Sequence, residues 1–160
     1  MAQPTQRTPE PRTPPPGGGC LTDVAGLSVG HHARVTRGWR TGTTAVLLPP
    51  GSAVGVDVRG GGPGTRETDL LHPQATIDTA HAICLTGGSA FGLAAAGGVM
   101  EWLAERGVGF PVGAQPDEVV PLVPAAVIFD LGRGGRFTNR PDHDFGYRAA
   151  AAARPRPSRN

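Results

Sequence analysis

The sequence contains no lysine, and all fifteen of its strong bases are arginine. Against thirteen acids this leaves a formal charge of +2, too small an excess to imply a nucleic-acid partner. Cysteine is nearly absent. Cys20 follows a leader rich in proline and glycine, and Cys84 sits in an apolar run. That placement argues against a disulfide and makes a reduced cytoplasm the default setting. No apolar run approaches the roughly 18 residues that a bilayer-spanning helix needs, so no membrane partner is expected. The N-terminus has no apolar segment behind a basic start, which is the pattern of a secretory signal. Hydrophobic residues reach only 38% because 25 glycines and 17 prolines occupy so many positions. A length of 160 residues still allows one domain with a sizeable core.

The most informative stretch runs from His81 to Leu93. A short apolar run, Ala82-Ile83-Cys84-Leu85, breaks at Gly87-Gly88 and gives way to a helical pattern after Ser89. The order predicts a buried strand, a tight turn and a helix from an N-cap Ser89 to about Glu105. Phe91, Ala95, Val99 and Trp102 or Leu103 fall on one face of that helix. Ala94, Ala96, Gly97 and Gly98 lie between them and leave room for another backbone. Each glycine inside a helix costs about 1 kcal/mol against alanine, so the helix is expected to lie close against a sheet or a second helix.

Around this centre, residues 1–19 read as a disordered Pro/Gly-rich leader, 20–153 as the folded part and 154–160 as an unstructured tail. Two extended pieces are expected at 21–24 and 27–30. Residues 43–48 form a strand, and the Pro49-Pro50-Gly51 turn pairs it with a second strand at 53–59. A proline-broken extended segment covers 119–124, and 125–131 is a further buried strand. Asp142 is placed to cap a short C-terminal helix.

Several residues invite chemical readings. His31-His32 suggests a metal, but neighbours on a strand point to opposite faces and no acidic or cysteine partner stands at ligand spacing. No metal or cofactor is expected. The glycine loop from Arg59 to Asp69, Gly61 included, lacks the Gly-Lys-Ser/Thr ending of a P-loop. It reads equally as a crossing loop with surface charges and as a substrate-lining segment. Gly87-Gly88-Ser89-Ala90-Phe91 resembles the G-x-S-x-G nucleophile elbow, except that Phe91 occupies the final glycine's place and glycine arrives at Gly92. An N-cap is the better reading of Ser89, and a structural histidine the better reading of His81.

Four segments, in order, resemble the DmpA-type aminopeptidases and nylon-oligomer hydrolases, a family of N-terminal-nucleophile hydrolases. They are Leu21-Thr22-Asp23-Val24 with Gly26-Leu27, Val29-Gly30-His31; Val56-Asp57-Val58-Arg59-Gly60-Gly61; His81 to Leu93; and Ala126-Val127-Ile128-Phe129-Asp130-Leu131. The resemblance implies an α/β fold of the αββα sandwich type, here incomplete. It implies a precursor that cuts itself before a Ser or Thr, whose freed amine and hydroxyl act as base and nucleophile. The substrates it implies are small peptides, amides or esters, with Phe129, Gly87, Gly88, Ser89 and Gly61 as substrate-binding candidates. Phe129 stands where the nylon-oligomer branch has a catalytic tyrosine. The family's nucleophile lies beyond the part that matches here, so no catalytic residue is expected before Asn160. Truncation and a mature α subunit both remain open as explanations. The expected chain is inactive alone and either pairs with a nucleophile-bearing polypeptide or forms homo-oligomers. A binding or assembly module without chemistry is the alternative.

Overall fold

The structure, a computed structural model, describes residues 19–155. The expected leader up to residue 18 and the tail from residue 156 lie outside the described residues.

Five strands form one mixed sheet: β1 (Ser28–Arg34), β2 (Thr41–Leu47), β3 (Thr65–Arg66), β4 (Ala82–Thr86) and β7 (Ala125–Val127), in the order β1-β2-β4-β7-β3. β5 (Phe110–Pro111) and β6 (Val119–Val120) make a separate two-stranded ribbon. β4 and β7 run parallel, with Cys84 opposite Ala125. Such a pairing needs a long crossover, and helix α1 (Ala95–Ala104) lies within it. Helix α2 (His143–Ala151) closes the chain. Asp142 caps it as the sequence predicts, its Oδ1 accepting the Phe145 N–H at 3.2 Å, a contact worth about 1 kcal/mol.

Alternation along the strands sorts the sheet into two faces. Ala45, Ala82, Cys84 and Ala125 are buried against Ala95, Val99, Leu103, Ala149 and Ala150 of the two helices. The opposite face carries Thr44, Ile83, Leu85 and Ala126, with Leu85 48% exposed. Small residues set the packing on the helical face. A Cβ at Gly98 would run into the His143 carbonyl of α2, and one at Gly146 into the Ala95 carbonyl of α1. A Cβ at Gly30 would strike the Ala149 carbonyl. The close neighbour foreseen for the glycine-bearing helix is therefore α2, which also lies on β1.

The structure differs from the sequence reading at several elements. Residues 53–59 form no strand. Both edges of β2 are already taken, by β1 (Ser28 opposite Leu47) and by β4 (Leu47 opposite Ala82), so no third partner can pair there. The segment instead runs beside the open sheet face, where Val54, Val56, Ile83 and Leu85 border a cavity of about 170 Å³. Leu21–Asp23 is a 3₁₀ turn, not an extended piece, because the Asp23 carboxylate accepts the Cys20 N–H at 2.7 Å and folds the chain back. The buried strand expected over 125–131 stops at Val127, leaving Ile128 67% and Phe129 62% exposed. Arg154, assigned to the tail from sequence, forms an antiparallel bridge with Val29.

Candidate functional site

At one end of the sheet the chain leaves β4 through Thr86 and turns at Gly87-Gly88-Ser89. Thr86 is anchored by a 2.8 Å hydroxyl contact with Thr43, and the Gly87 N–H donates to the Gly42 carbonyl at 2.9 Å. Gly88 has φ 85° and Ser89 φ 52°. For serine the left-handed region costs free energy, on the order of 1 kcal/mol, and something must hold it there. The Asp130 carboxylate does so. Its Oδ1 accepts the Gly88 N–H and its Oδ2 the Thr41 hydroxyl, each at 2.6 Å. The Ser89 N–H adds a bond to the Ile128 carbonyl at 3.0 Å.

This geometry corrects the N-cap assignment of Ser89. Gly88 occupies the cap position, no side chain caps the turn, and residues Ser89–Ala94 form a 3₁₀ segment before α1 begins. The displaced glycine of the elbow pattern also finds its reason. A Cβ at Gly92 would collide with the Gly87 carbonyl, so the close approach falls there. Phe91 can accordingly be large; it turns outward, 53% exposed, with the Arg140 guanidinium 3.6 Å from its ring centre. It does not share the buried face of Ala95 and Val99 that the helical spacing predicts.

The other candidates fall as follows. Phe129 lies one residue past the Ile128 carbonyl that holds Ser89, its ring exposed and 5.6 Å from the Arg133 guanidinium. Beside the turn, a groove of about 310 Å³ runs over the open sheet face past Thr44, Leu85, Gly87, Ala126 and Ile128. Gly61 stands apart, with open space around the position of a Cβ. The glycine loop touches the sheet at Gly64, whose carbonyl accepts the Val127 N–H at 3.0 Å. Arg66, Glu67 and Asp69 form no ion-pair lock among the described residues. Glu67 accepts the Val123 N–H at 3.1 Å, and Arg66 reaches the Met100 sulfur at 3.0 Å. His31 and His32 do point to opposite faces: His31 meets the Thr44 hydroxyl at 2.9 Å, while His32 lies edge-on to Phe145. His81 accepts the Leu122 N–H through Nδ1 at 3.1 Å, and burial lowers its pKa against an opposing bond to the Gly109 backbone. Burial pushes the Cys84 thiol up to about 12, despite the nearby Arg66 charge. Among the described residues no group of three metal-ligating side chains converges, and no helix is long and apolar enough to cross a membrane.

The sequence reading singled out Gly87, Gly88 and Ser89 but missed the pair that holds them, Asp130 and Thr41. The available signal was an acid ending an apolar run, where a half-buried carboxylate must find donors.

By comparison with known proteins, this mixed α/β chain belongs to a family of the N-terminal-nucleophile-hydrolase type. The chain is a member of peptidase family S58, whose model matches residues 19–157. It is 54% identical over 141 residues to an uncharacterized aminopeptidase of Mycobacterium tuberculosis (strain H37Rv), a match covering 83% of this chain and 39% of that protein. It is 38% identical over 109 residues to the 6-aminohexanoate-oligomer endohydrolase of Kocuria sp. (strain KY2), covering 68% of this chain and 27% of the relative. The crystal structure of the PH0078 protein from Pyrococcus horikoshii OT3 superposes with a TM-score of 0.56 at 25% identity, over 84% of this chain and 40% of that one. The chain thus spans about two fifths of the length of the mycobacterial aminopeptidases that it matches.

Proposed function

We propose that the chain is the N-terminal portion of a self-processing aminopeptidase or amidohydrolase that removes N-terminal residues from small peptides, amides or esters. In this reading it supplies half of an αββα sandwich, and the Ser or Thr nucleophile comes from sequence outside these 160 residues. The observation that carries the proposal is the one-sided sheet. Two helices cover one face, while Leu85, Val56 and Ile128 stand 48%, 47% and 67% exposed on or beside the other. A second sheet laid there would bury them and place its own residues against the Gly87–Ser89 turn.

The chemistry divides accordingly. The new N-terminal amine takes the proton from its own hydroxyl, the oxygen attacks the substrate carbonyl, and the leaving amine receives the proton; water then hydrolyses the acyl-enzyme. This chain's share is binding and orientation. Among the described residues no hydrogen bond engages the Ser89 hydroxyl, which leaves it available to a substrate amide. The Asp130 latch fixes where that hydroxyl points. Phe129 offers an apolar wall and no donor, and Gly61 belongs to the loop that would border the opening. The chemistry requires no cofactor.

The test is co-expression with the remaining portion of an S58 relative, beginning at its nucleophile. Turnover of aminoacyl p-nitroanilides is expected, and Ser89→Ala should raise KM more than it lowers kcat. A stable, properly folded complex without turnover on amides, peptides or esters would favour the assembly-module reading.

A further inference from the structure

The sheet brings two arginine-rich loops to the same end. β1 ends at Arg34 and β2 begins at Thr41, antiparallel to β4; β7 runs parallel to β4. The loop after β1 and the loop after β7 therefore leave the sheet side by side. The first carries Arg34, Arg37 and Arg40, the second Arg133, Arg136 and Arg140, and neither 34–40 nor 131–140 contains an acid. The loops are locked together through main chain. The Gly38 carbonyl accepts the Arg136 N–H at 2.6 Å and the Asn139 side-chain N–H at 2.9 Å. The Arg40 side chain packs at Gly134 and that of Arg136 at Gly38.

No ion pair neutralises these six guanidinium groups among the described residues. The carboxylates at this end are otherwise engaged: Asp130 holds Gly88 and Thr41, Asp142 caps α2, and Asp144 pairs with Arg148. A chain of formal charge +2 thus gathers six of its fifteen arginines on two touching loops, flanked by the carboxylates of Asp130 and Asp142. Held together, like charges repel, and an anionic ligand relieves that repulsion. The patch adjoins the candidate site directly, since Arg140 covers Phe91 and its Cβ lies against Gly88, while Arg133 approaches Phe129.

We propose that this arginine patch is a specificity element that binds the carboxylates of acidic peptides and delivers them to the Gly87–Ser89 turn. The inference rests on the function proposed above and narrows its substrate class. Guanidinium groups match carboxylates with paired N–H donors. Three aromatic rings here lie under the chain's own arginines, Phe91 at 3.6 Å, Trp39 at 4.0 Å and Phe129 at 5.6 Å, which leaves Phe137, 56% exposed, as a single uncovered ring rather than a row of stacking platforms. Single-stranded nucleic acid is held by bases stacking on free aromatic faces, so an acidic peptide fits the surface better.

Fluorescence anisotropy on the purified chain tests this without hydrolysis. The probe is a labelled hexapeptide of glutamates, compared with its glutamine counterpart and with a hexathymidylate. The acidic peptide should bind, weaken with added salt, and lose roughly tenfold in affinity in R40Q/R133Q/R136Q, whose melting curve verifies folding. The glutamine peptide should not bind. The idea is overturned if the acidic peptide fails to bind, if the triple variant binds it equally, or if hexathymidylate binds more tightly through the same arginines. Acidic-peptide binding with no turnover in the co-expressed complex would sink the proposed function alone. Turnover on neutral amides without acidic-peptide binding would sink this inference alone.

Discussion

Gly97 and Gly98 are adjacent in α1, and the structure assigns them opposite responses to the same substitution. At Gly98 an added methyl meets backbone, the His143 carbonyl and the Tyr147 N–H of α2's first turns. Neither can move without shifting the helix. At Gly97 the methyl meets the His143 ring, 3.2 Å away at Cδ2, and that side chain is 53% exposed and can give way at the cost of only a surface contact with Glu101, 3.4 Å off. Alanine gains about 1 kcal/mol of helix propensity over glycine at either position. Overpacking costs about 1–3 kcal/mol, and a clash with fixed backbone belongs at the upper end. The net expectation for Gly98→Ala is a loss of about 1–2 kcal/mol, a fall of roughly 3–8 °C in Tm for a chain of this size. Gly97→Ala should be neutral or raise Tm. Thermal unfolding by circular dichroism, with urea titration to check the slope, measures both. If Gly98→Ala is as stable as Gly97→Ala, the two helices do not cross at Gly98 and the packing argument fails.

Three further outcomes follow from individual contacts. His81 must stay neutral to accept the Leu122 N–H, and its pKa is lowered from 6.5 in the folded chain. The unfolded chain therefore takes up a proton first, so His81's contribution is complete above pH 6.5 and declines as pH falls through the depressed folded value; His81→Gln should flatten that part of the urea-midpoint profile between pH 8 and 5, and an unchanged profile would refute it. Asp130→Ala leaves the Gly88 N–H and Thr41 hydroxyl without their partner, at about 1–3 kcal/mol for each buried group; Gly88 amide exchange should accelerate more than in Asp130→Asn, and equal rates would deny the latch. Cys20 is exposed and Cys84 buried with its thiol pushed up to about 12, so a disulfide-exchange reagent at pH 8 should titrate one thiol in the native chain and two after unfolding.

The helical half of the fold was legible because its signals are local. An apolar run before two glycines gives β4, Asp142 gives the start of α2, and two helical glycines announce a close crossing. The pairing of β2 was not legible. Two valine-rich segments joined by Pro-Pro-Gly look like a hairpin, and nothing local shows that β1 and β4 will occupy both edges of β2. The site divides in the same way. The turn at Gly87–Ser89 shows itself as glycine punctuation, whereas the Asp130–Gly88 and Asp130–Thr41 bonds join residues 42 and 89 positions apart. The arginine patch has the same origin: each loop looks unremarkable in a chain of small net charge, and only the shared end of the sheet combines them.

The central proposal is that the nucleophile lies outside these residues, in which case the chain by itself would neither cut itself nor turn over substrate. No Asn-Ser or Asn-Thr pair occurs within it, and no internal hydroxyl residue offers a free α-amine without a cut. Intact-mass spectrometry after prolonged incubation, run beside an aminoacyl p-nitroanilide assay, tests this directly. The account predicts one species at the full mass and no turnover above a buffer blank. Two fragments whose masses sum to the intact mass plus one water, appearing together with rising turnover, would contradict it.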